Sequence, residues 1–282
     1  MVSWQMRGVG LFTRLVYRRR YATETAGLRT LNRPKGPSAP PKSLACTSST
    51  VNGFTVYQVG DAETAVVYLH GGAYTSEIVE QHWSLIGFIA EQAGCEVHVP
   101  IYGLSPEHHG REALDLVSEV IRGLGRPCHL VGDSAGGGLA LLAAQANKGR
   151  VAGLTMIAPW LDLTMSNPGI DAVEPHDPWL FRAGLRPIAD AWTGGLALDD
   201  PRLSPIHGDL DGLPPTQILV GTRDITLPDC RLLRDRLPAG TPLTYHEEPG
   251  AIHVYPLLPV PEARAGRRAI VAHILGARPS QT

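Results

Sequence analysis

The stretch that decides the fold reads CHLVGDSAGGGLALL from Cys128 to Leu142. It begins with a short apolar run typical of a buried strand, and it ends with apolar residues repeated at helical spacing. A Gly-x-Ser-x-Gly pattern, made by Gly132, Ser134 and Gly136, lies between the two and leaves no residues for a loop. The sequence therefore predicts a sharp strand-to-helix turn with a serine at its tip.

Ser134 is the predicted nucleophile on this turn. The flanking glycines have no side chains to collide where strand and helix meet, so a strained turn can hold the hydroxyl exposed. The serine also precedes a helix N-terminus, where free backbone N–H groups and the helix dipole stabilise developing negative charge. A glycine-rich turn can equally be structural, so the rest of the chain has to decide between the two interpretations.

Alternating strands and helices around this turn predict an α/β fold. An Asn-Gly dipeptide at Asn52-Gly53 predicts a hairpin, so the sheet starts antiparallel. The apolar run at 65–69 predicts a strand covered on both faces. The next predicted elements are a helix near 81–93, a strand at 96–101 and a helix near 112–124. This order predicts a mainly parallel central sheet with helices on both faces.

A second motif, His70-Gly71-Gly72-Ala73, directly follows the predicted strand at 65–69. When a serine attacks an ester carbonyl, the carbonyl oxygen becomes an anion that needs preorganised donors. A loop of small residues can point several backbone N–H groups at that oxygen. The same residues would also suit a tight strand exit, but the presence of both motifs in one chain favours acyl chemistry.

Chain order predicts the general base. Where a serine lies on such a turn, the acid and the histidine follow it along the chain, on loops after later strands. Of the eleven histidines, only His246, His253 and His273 come late enough. His246 falls in a strand-like run and His273 in a helical run, whereas His253 lies on the predicted loop between them. We therefore predict His253 as the base.

Asp224 is the predicted acid, because it follows a clear strand at 217–221. A carboxylate there can hold the imidazole in the correct tautomer and stabilise the imidazolium. Asp229 and Asp162 stay open as alternatives, although capping of helices or turns explains both of them. Asp133 is predicted to be structural, because the neighbour of the nucleophile must point away in such a turn.

Composition narrows the classes of partner. With 282 residues and 43% apolar residues, the chain can form one large α/β domain with a sizeable core. Its 25 Lys and Arg are balanced by 27 Asp and Glu, which argues against a nucleic-acid partner and favours a small neutral substrate. Four scattered cysteines without a Cys-x-x-Cys pair predict free thiols and a cytoplasmic location. The composition is compatible with a monomer or a homodimer.

Two segments are predicted to form a cap. Residues 1–45 form an N-terminal flap, with a Pro-rich hinge at 33–41, and the main domain at 46–282 carries an insertion at about 166–200. We expect the N-terminal helix to fold over its own domain, with a weak membrane-surface contact as the alternative. Its apolar stripe contains Trp4, Gly8, Leu11, Phe12, Leu15 and Val16, and its basic residues are Arg7, Arg14, Arg18, Arg19 and Arg20. No apolar run approaches the roughly 18 residues of a membrane span.

The substrate pocket is predicted near the cap. Its candidate wall residues are Tyr74, Trp160, Trp179, Leu180 and Phe181, although core packing explains each aromatic side chain equally well. The sequence has no phosphate-binding glycine loop and no metal-ligand cluster. Adjacent histidines at His108-His109, on a predicted loop, are expected to face solvent or to cap a helix. We therefore predict no cofactor and no metal.

From about Thr50 onward, the sequence resembles the hormone-sensitive-lipase-like branch of the α/β-hydrolases, which includes many bacterial carboxylesterases. The shared motifs are His70-Gly71-Gly72, Tyr102 with LSPEH at 104–108, GDSAGG at 132–137, APW at 158–160, DPRLSP at 200–205 and LPP at 213–215. The resemblance implies an α/β-hydrolase fold with a helical cap. Asp224 and His253 match the acid and the histidine of this family.

The same resemblance implies an oxyanion hole. Its donors would be the backbone N–H groups of Gly72, Ala73 and Ala135, with Gly71 shaping the turn. The family usually has a third glycine where Ala73 stands, so the hole requires a φ at Ala73 that is negative or otherwise tolerable to alanine.

These residues predict a serine carboxylester hydrolase for short to medium acyl chains, which works through an acyl-enzyme on Ser134. Two alternatives stay open. One is an amide or aryl-formamide hydrolase that uses the same three residues. The other is a non-catalytic small-molecule receptor, because a fold does not determine a function.

Overall fold

A computed structural model describes residues 2–276 and contains an eight-stranded sheet. The strands are β1 (Cys46–Val51), β2 (Phe54–Val59), β3 (Ala65–Leu69), β4 (Glu96–Pro100), β5 (Cys128–Asp133), β6 (Val151–Ile157), β7 (Thr216–Arg223) and β8 (Leu243–Ile252). Their spatial order is β1-β2-β4-β3-β5-β6-β7-β8. The pairs β1–β2 and β2–β4 are antiparallel and the later pairs are parallel, which confirms the predicted fold class.

Helices cover both faces of this sheet. They are α1 (Trp4–Val16), α2 (Glu24–Leu31), α3 (Glu80–Ala93), α4 (Gly110–Gly123), α5 (Ala135–Ala146), α6 (Ile170–Val173), α7 (Arg182–Trp192), α8 (Leu227–Arg236) and α9 (Pro261–Gly276). Alternate residues of β3 belong to different cores, since Val67 packs with α4 and α5 whereas Val66 packs with α3 and α9. This double burial explains why the strand reads as a continuous apolar run.

The predicted hairpin is present between β1 and β2. Val51 pairs with Phe54, and the two loop residues Asn52 and Gly53 have φ of 50° and 83°. Positive φ at both positions gives the two-residue turn whose twist matches that of antiparallel strands. The antiparallel start of the sheet therefore follows from this dipeptide.

β8 is longer than the predicted strand at 243–246. It continues through Pro249 and Gly250 to Ile252, which pairs with Arg223 of β7 beyond an irregularity in the register. Gly250 has a φ of 73°, and its N–H donates to the Thr222 hydroxyl over 2.6 Å. Pairing with β7 thus outweighs the tendency of Pro249 and Gly250 to form a turn. Both strands end at the same edge of the sheet.

The N-terminal segment packs on the main body at two places. The backbone N–H and hydroxyl of Ser3 donate to Glu262 over 2.7 and 2.9 Å, and the Met6 side chain is fully buried. Further along, α2 lies against α7 so closely that a Cβ on Gly27 would lie 2.1 Å from the carbonyl oxygen of Gly184. The helix α2 was not predicted, although Thr23 caps it by accepting from the N–H of Ala26.

Within residues 2–276, no helix combines the length and apolar character that crossing a bilayer requires. The division of the chain into residues 1–45, a main domain and an insertion stays a prediction.

Candidate active site

Ser134 is the single residue between β5 and α5, as the turn pattern predicted. Its backbone has φ 53° and ψ −120°, a conformation that costs an L-residue about 1–3 kcal/mol and is held only by its surroundings. Those surroundings are tight, since a Cβ on Gly132 would lie 2.2 Å from the carbonyl oxygen of Gly136. A Cβ on Gly136 would lie 2.0 Å from that of Leu69. Glycine is therefore required on both sides of the turn.

The three residues predicted for the catalytic relay lie together at the carboxyl edge of the sheet. The Ser134 hydroxyl lies 2.9 Å from Nε2 of His253, and Nδ1 of the same ring lies 2.9 and 3.0 Å from the two carboxylate oxygens of Asp224. Asp224 directly follows β7 and His253 directly follows β8, two adjacent parallel strands. Their catalytic roles stay a prediction that this geometry permits.

Asp224 is anchored by its own loop. It is completely buried, and one of its oxygens accepts from the backbone N–H and the hydroxyl of Thr226 over 3.0 and 2.9 Å. These bonds hold the carboxylate in the orientation that His253 uses. Thr226 thus takes part in positioning the acid.

The competing candidates have other partners. Asp162 accepts from the backbone N–H of Thr164 over 2.9 Å, and Asp229 accepts from the amide of Asn167 over 2.8 Å. His246 lies 3.4 Å from Gln217 in β7, and His273 lies 3.0 Å from the Thr155 hydroxyl in β6. Each of these residues therefore has a partner other than Ser134, and the choice of Asp224 and His253 over them stays a prediction.

The electrostatics of His253 favour its protonated form. Burial lowers the pKa of the imidazole, but the Asp224 carboxylate attracts the charged ring and accepts its hydrogen bond. The carboxylates of Asp177 and Asp133 act in the same direction. The pKa of His253 is therefore raised above its ordinary value of 6.5.

The predicted oxyanion loop follows β3 and turns sharply. Gly72 has φ 121°, and a Cβ there would lie 2.6 Å from the carbonyl oxygen of Ser76. Ala73, which stands where the resembled family usually has glycine, has a φ of 53° and not the negative φ that was one of the two expectations. Alanine adopts this left-handed conformation at a cost of about 1 kcal/mol. This conformational free-energy cost is small, so we expect the loop to keep the same backbone path with alanine at this position.

Three backbone N–H groups are available in this region. Within residues 2–276, the N–H groups of Gly72 and Ala73 donate to no protein acceptor. Ala135 is the first residue of α5, where an N–H has no partner inside the helix. The N–H of Gly71 instead donates to Asp133 over 3.0 Å, which agrees with a role in shaping the turn. The assignment of the three donors stays a prediction.

Asp133 ties the oxyanion loop to the serine turn. It is buried and accepts from the Tyr68 hydroxyl over 2.8 Å as well as from Gly71, and its second oxygen lies 3.2 Å from Nε2 of His82. Burial raises the pKa of this carboxyl, but the contacts with His82 and Tyr68 outweigh burial and lower it. The carboxylate thus holds the two predicted site loops in one position.

A cavity of about 560 Å³ opens over Ser134. Of the predicted wall residues, Trp160, Trp179 and Leu180 line it. The Trp179 ring lies edge-on to the His253 imidazole, with centroids 5.8 Å apart, and it also contacts Tyr17 of the N-terminal segment at 5.6 Å. The N-terminal segment and the insertion therefore cover the site together.

Tyr74 and Phe181 are not among the lining residues, which corrects the prediction for both. Tyr74 is buried behind the wall, where it stacks on Trp192 with ring centroids 4.1 Å apart. Phe181 lies under the guanidinium of Arg18, 4.4 Å from the ring centroid. Core packing and surface stacking, which the sequence could not separate from substrate contact, explain both side chains.

Residues 66–257 match the family described as having the alpha/beta hydrolase fold. The chain belongs to this α/β-hydrolase family. It is 36% identical over 220 residues to an acetyl-hydrolase of Streptomyces hygroscopicus. The matched region covers 73% of this chain and 72% of that protein. It is 32% identical over 198 residues to an esterase of Acinetobacter venetianus, which covers 66% of this chain and 65% of that protein.

Solved structures show the same likeness. An esterase from the bacterial hormone-sensitive lipase family superposes on this α/β-hydrolase with a TM-score of 0.79 at 25% identity, over 99% of both chains. An esterase/lipase from an uncultured bacterium gives a TM-score of 0.81 at 26% identity, over 98% of both chains. The predicted membership of the hormone-sensitive-lipase-like branch is confirmed.

Asp177 is a site residue of this α/β-hydrolase that sequence reasoning missed. One of its oxygens accepts from the N–H groups of Trp179 and Leu180 over 2.7 and 3.0 Å, and the other accepts from the N–H of Ile225 over 2.8 Å. The insertion is thereby joined to the residue next to Asp224. Burial, and secondly repulsion from Asp224, raises the pKa of Asp177 to about 6. Nothing in the local sequence signals this long-range contact.

Proposed function

We propose that this α/β-hydrolase is a serine carboxylester hydrolase with Ser134 as its nucleophile. The observation that carries the proposal is the hydrogen-bonded series from Asp224 through His253 to Ser134, which ends in a mostly apolar cavity. The activities for which the relatives are named, acetyl-hydrolase and esterase, support ester hydrolysis. They do not favour the amide hydrolase or the receptor.

The first half of the reaction forms an acyl-enzyme. With Nδ1–H of His253 donating to Asp224, Nε2 accepts the Ser134 proton as the hydroxyl oxygen bonds to the ester carbonyl carbon. The carbonyl oxygen becomes an anion, which the N–H groups of the oxyanion loop stabilise. The bond to the alcohol oxygen then breaks, and that oxygen takes the proton from Nε2.

The second half restores the serine. A water molecule gives a proton to Nε2 of His253 while its oxygen bonds to the acyl carbon. The bond between that carbon and the Ser134 oxygen breaks, the serine recovers the proton, and the carboxylic acid leaves. Buried hydrogen bonds anchor the serine turn, the acid and the histidine around the reacting atoms.

We expect short to medium acyl chains to be the preferred substrates. The cavity volume of about 560 Å³ lies within the usual range for small-ligand sites, and the cap segments bound it. The test is kcat/KM for a series of p-nitrophenyl esters from acetate to palmitate, with matched anilides and formamides. A maximum at palmitate would contradict the chain-length proposal, and faster hydrolysis of the amides would favour the alternative chemistry.

Activity should fall on the acid side with a midpoint above pH 6.5. The imidazole must be neutral to accept the serine proton. Because the pKa of His253 is raised above 6.5, the ring becomes protonated at a higher pH than a free histidine does, and activity is lost there. The measurement is kcat/KM for p-nitrophenyl acetate across acidic and neutral pH. A midpoint below 6.5 would contradict the electrostatic account of His253.

Asp177→Asn should lower the pH at which kcat/KM reaches half of its maximum on the acid side. The substitution removes a negative charge that raises the pKa of His253. It also weakens the acceptor for Ile225, so kcat/KM at alkaline pH should fall by about 2- to 10-fold, as expected for one hydrogen bond. Asp171→Asn, in the same insertion but largely exposed, is the control. An unchanged midpoint in Asp177→Asn would assign Asp177 a purely structural role.

A further inference from the structure

The outward face of α1 is the most apolar exposed surface among the described residues. Within residues 2–276, nine large apolar side chains are exposed, and five of them belong to this helix: Trp4, Leu11, Phe12, Leu15 and Val16. Trp4, Leu11 and Leu15 are 78%, 60% and 63% exposed and are spaced seven and four residues apart, so they form one stripe along the helix. Clustered exposed apolar groups of this kind indicate an interaction site.

Packing of α1 on its own domain does not use this stripe. The helix is attached through its opposite side, where Met6, Gly10 and Thr13 are buried, and through the Ser3–Glu262 hydrogen bonds. The expectation that the helix folds over its own domain therefore accounts for one face only. The second apolar face has no covering segment among residues 2–276.

Positive charge surrounds the stripe. The helix contains no acidic residue, and five arginines lie on it or in the 3₁₀ turn that follows: Arg7, Arg14, Arg18, Arg19 and Arg20. None of them forms an ion pair with an acidic side chain in the described part of the chain. The whole protein has a formal net charge of −2, so this basic cluster is local. An amphipathic helix with arginines beside exposed Trp and Leu has the character of an interfacial helix.

The same helix forms part of the cavity wall. Val9, Phe12 and Thr13 line the cavity over Ser134, and Tyr17 and Arg20 continue that wall beyond the helix. A surface that binds the outward stripe would therefore lie next to the mouth of the cavity.

We propose that the outward face of α1 binds the surface of an anionic lipid bilayer. Arginines gain from the negative potential of such a surface, while Trp4, Leu11 and Leu15 enter the headgroup region. A second copy of this chain is a poorer occupant, because a twofold contact through this face would bring Arg7 and Arg14 of the two copies close together.

The test uses the full chain with Ser134→Ala, so that binding is measured without turnover and its failure is separate from a failure of ester hydrolysis. Vesicles of equimolar phosphatidylcholine and phosphatidylglycerol should sediment the protein, and vesicles of phosphatidylcholine alone should sediment much less. Trp4 is the most exposed of the five tryptophans, so binding should shift the emission to the blue, and Trp4→Phe should abolish the shift.

Two double variants test the two components of the surface. Leu11→Ser with Leu15→Ser should lower vesicle partitioning at least about 10-fold. Arg7→Gln with Arg14→Gln should lower it about 30-fold at low salt, since each arginine contributes about fivefold near an anionic surface. The matched controls are Leu232→Ser with Leu275→Ser, and Arg111→Gln with Arg122→Gln, which change exposed positions on other helices.

Two results would overturn the proposal. One is a folded protein that sediments equally with both kinds of vesicle or with neither. The other is a concentration-dependent dimer in solution that the α1 variants abolish and the control variants do not, which would show that a second copy covers the face.

Discussion

Ser134→Ala should lower kcat for p-nitrophenyl acetate by about 10⁶-fold, the loss expected when the nucleophile of such a relay is removed. No other side chain in the described site replaces it, since the hydroxyl alone lies 2.9 Å from Nε2 of His253 at the end of the relay. A fluorophosphonate probe should label the natural chain at Ser134 and leave the variant unlabelled.

The variant should keep its fold, because the lost hydroxyl makes one hydrogen bond to a side chain and leaves the turn backbone unchanged. Its Tm should lie close to that of the natural chain. Ser166→Ala, at an exposed serine of the insertion, is the matched control and should keep full activity. Turnover by Ser134→Ala at the natural rate would refute the assignment of the nucleophile.

Asp224→Asn should lower kcat by about 10⁴-fold while leaving the structure intact. An amide that donates to Nδ1 of His253 stabilises the tautomer with the proton on Nε2, and that nitrogen can then no longer accept the Ser134 proton. Asp224 is completely buried, so no water molecule from bulk solvent can take over the acceptor role of the lost carboxylate. The measurement is kcat together with a thermal unfolding curve.

Asp162→Asn supplies the control, because Asp162 bonds within its own turn through Thr164. That variant should keep activity within about a few-fold of the natural chain, as expected for a residue away from the reacting atoms. Loss of activity in Asp229→Asn together with normal activity in Asp224→Asn would transfer the role of the acid to Asp229.

Local patterns were sufficient for the parts of the site that depend on short-range geometry. Gly132 is needed because a Cβ there would collide with Gly136 in the same turn, and Asn52-Gly53 determines the hairpin through its own φ angles. Sequence order also indicated that Asp224 and His253 lie on loops after later strands, and the carboxyl ends of parallel strands meet at one edge of a sheet.

The errors of prediction arise where distant segments meet. β8 runs past Pro249 and Gly250 because β7 offers it partners. Tyr74 lies behind the cavity wall because Trp192 of the insertion stacks on it. Asp177 joins the acid loop through Ile225, which lies 48 residues further along the chain. No local pattern encodes such contacts, because they depend on how segments far apart in the chain pack together.

The sequence by itself determined the α/β class, the serine turn and the order of the three candidate catalytic residues, because turn sterics and strand periodicity are local properties. Only the tertiary structure decided which side chains line the cavity, that Asp177 bonds to the loop of Asp224, and which face of α1 is left exposed. Those features depend on distances between segments far apart in the chain, and packing of the whole domain sets these distances.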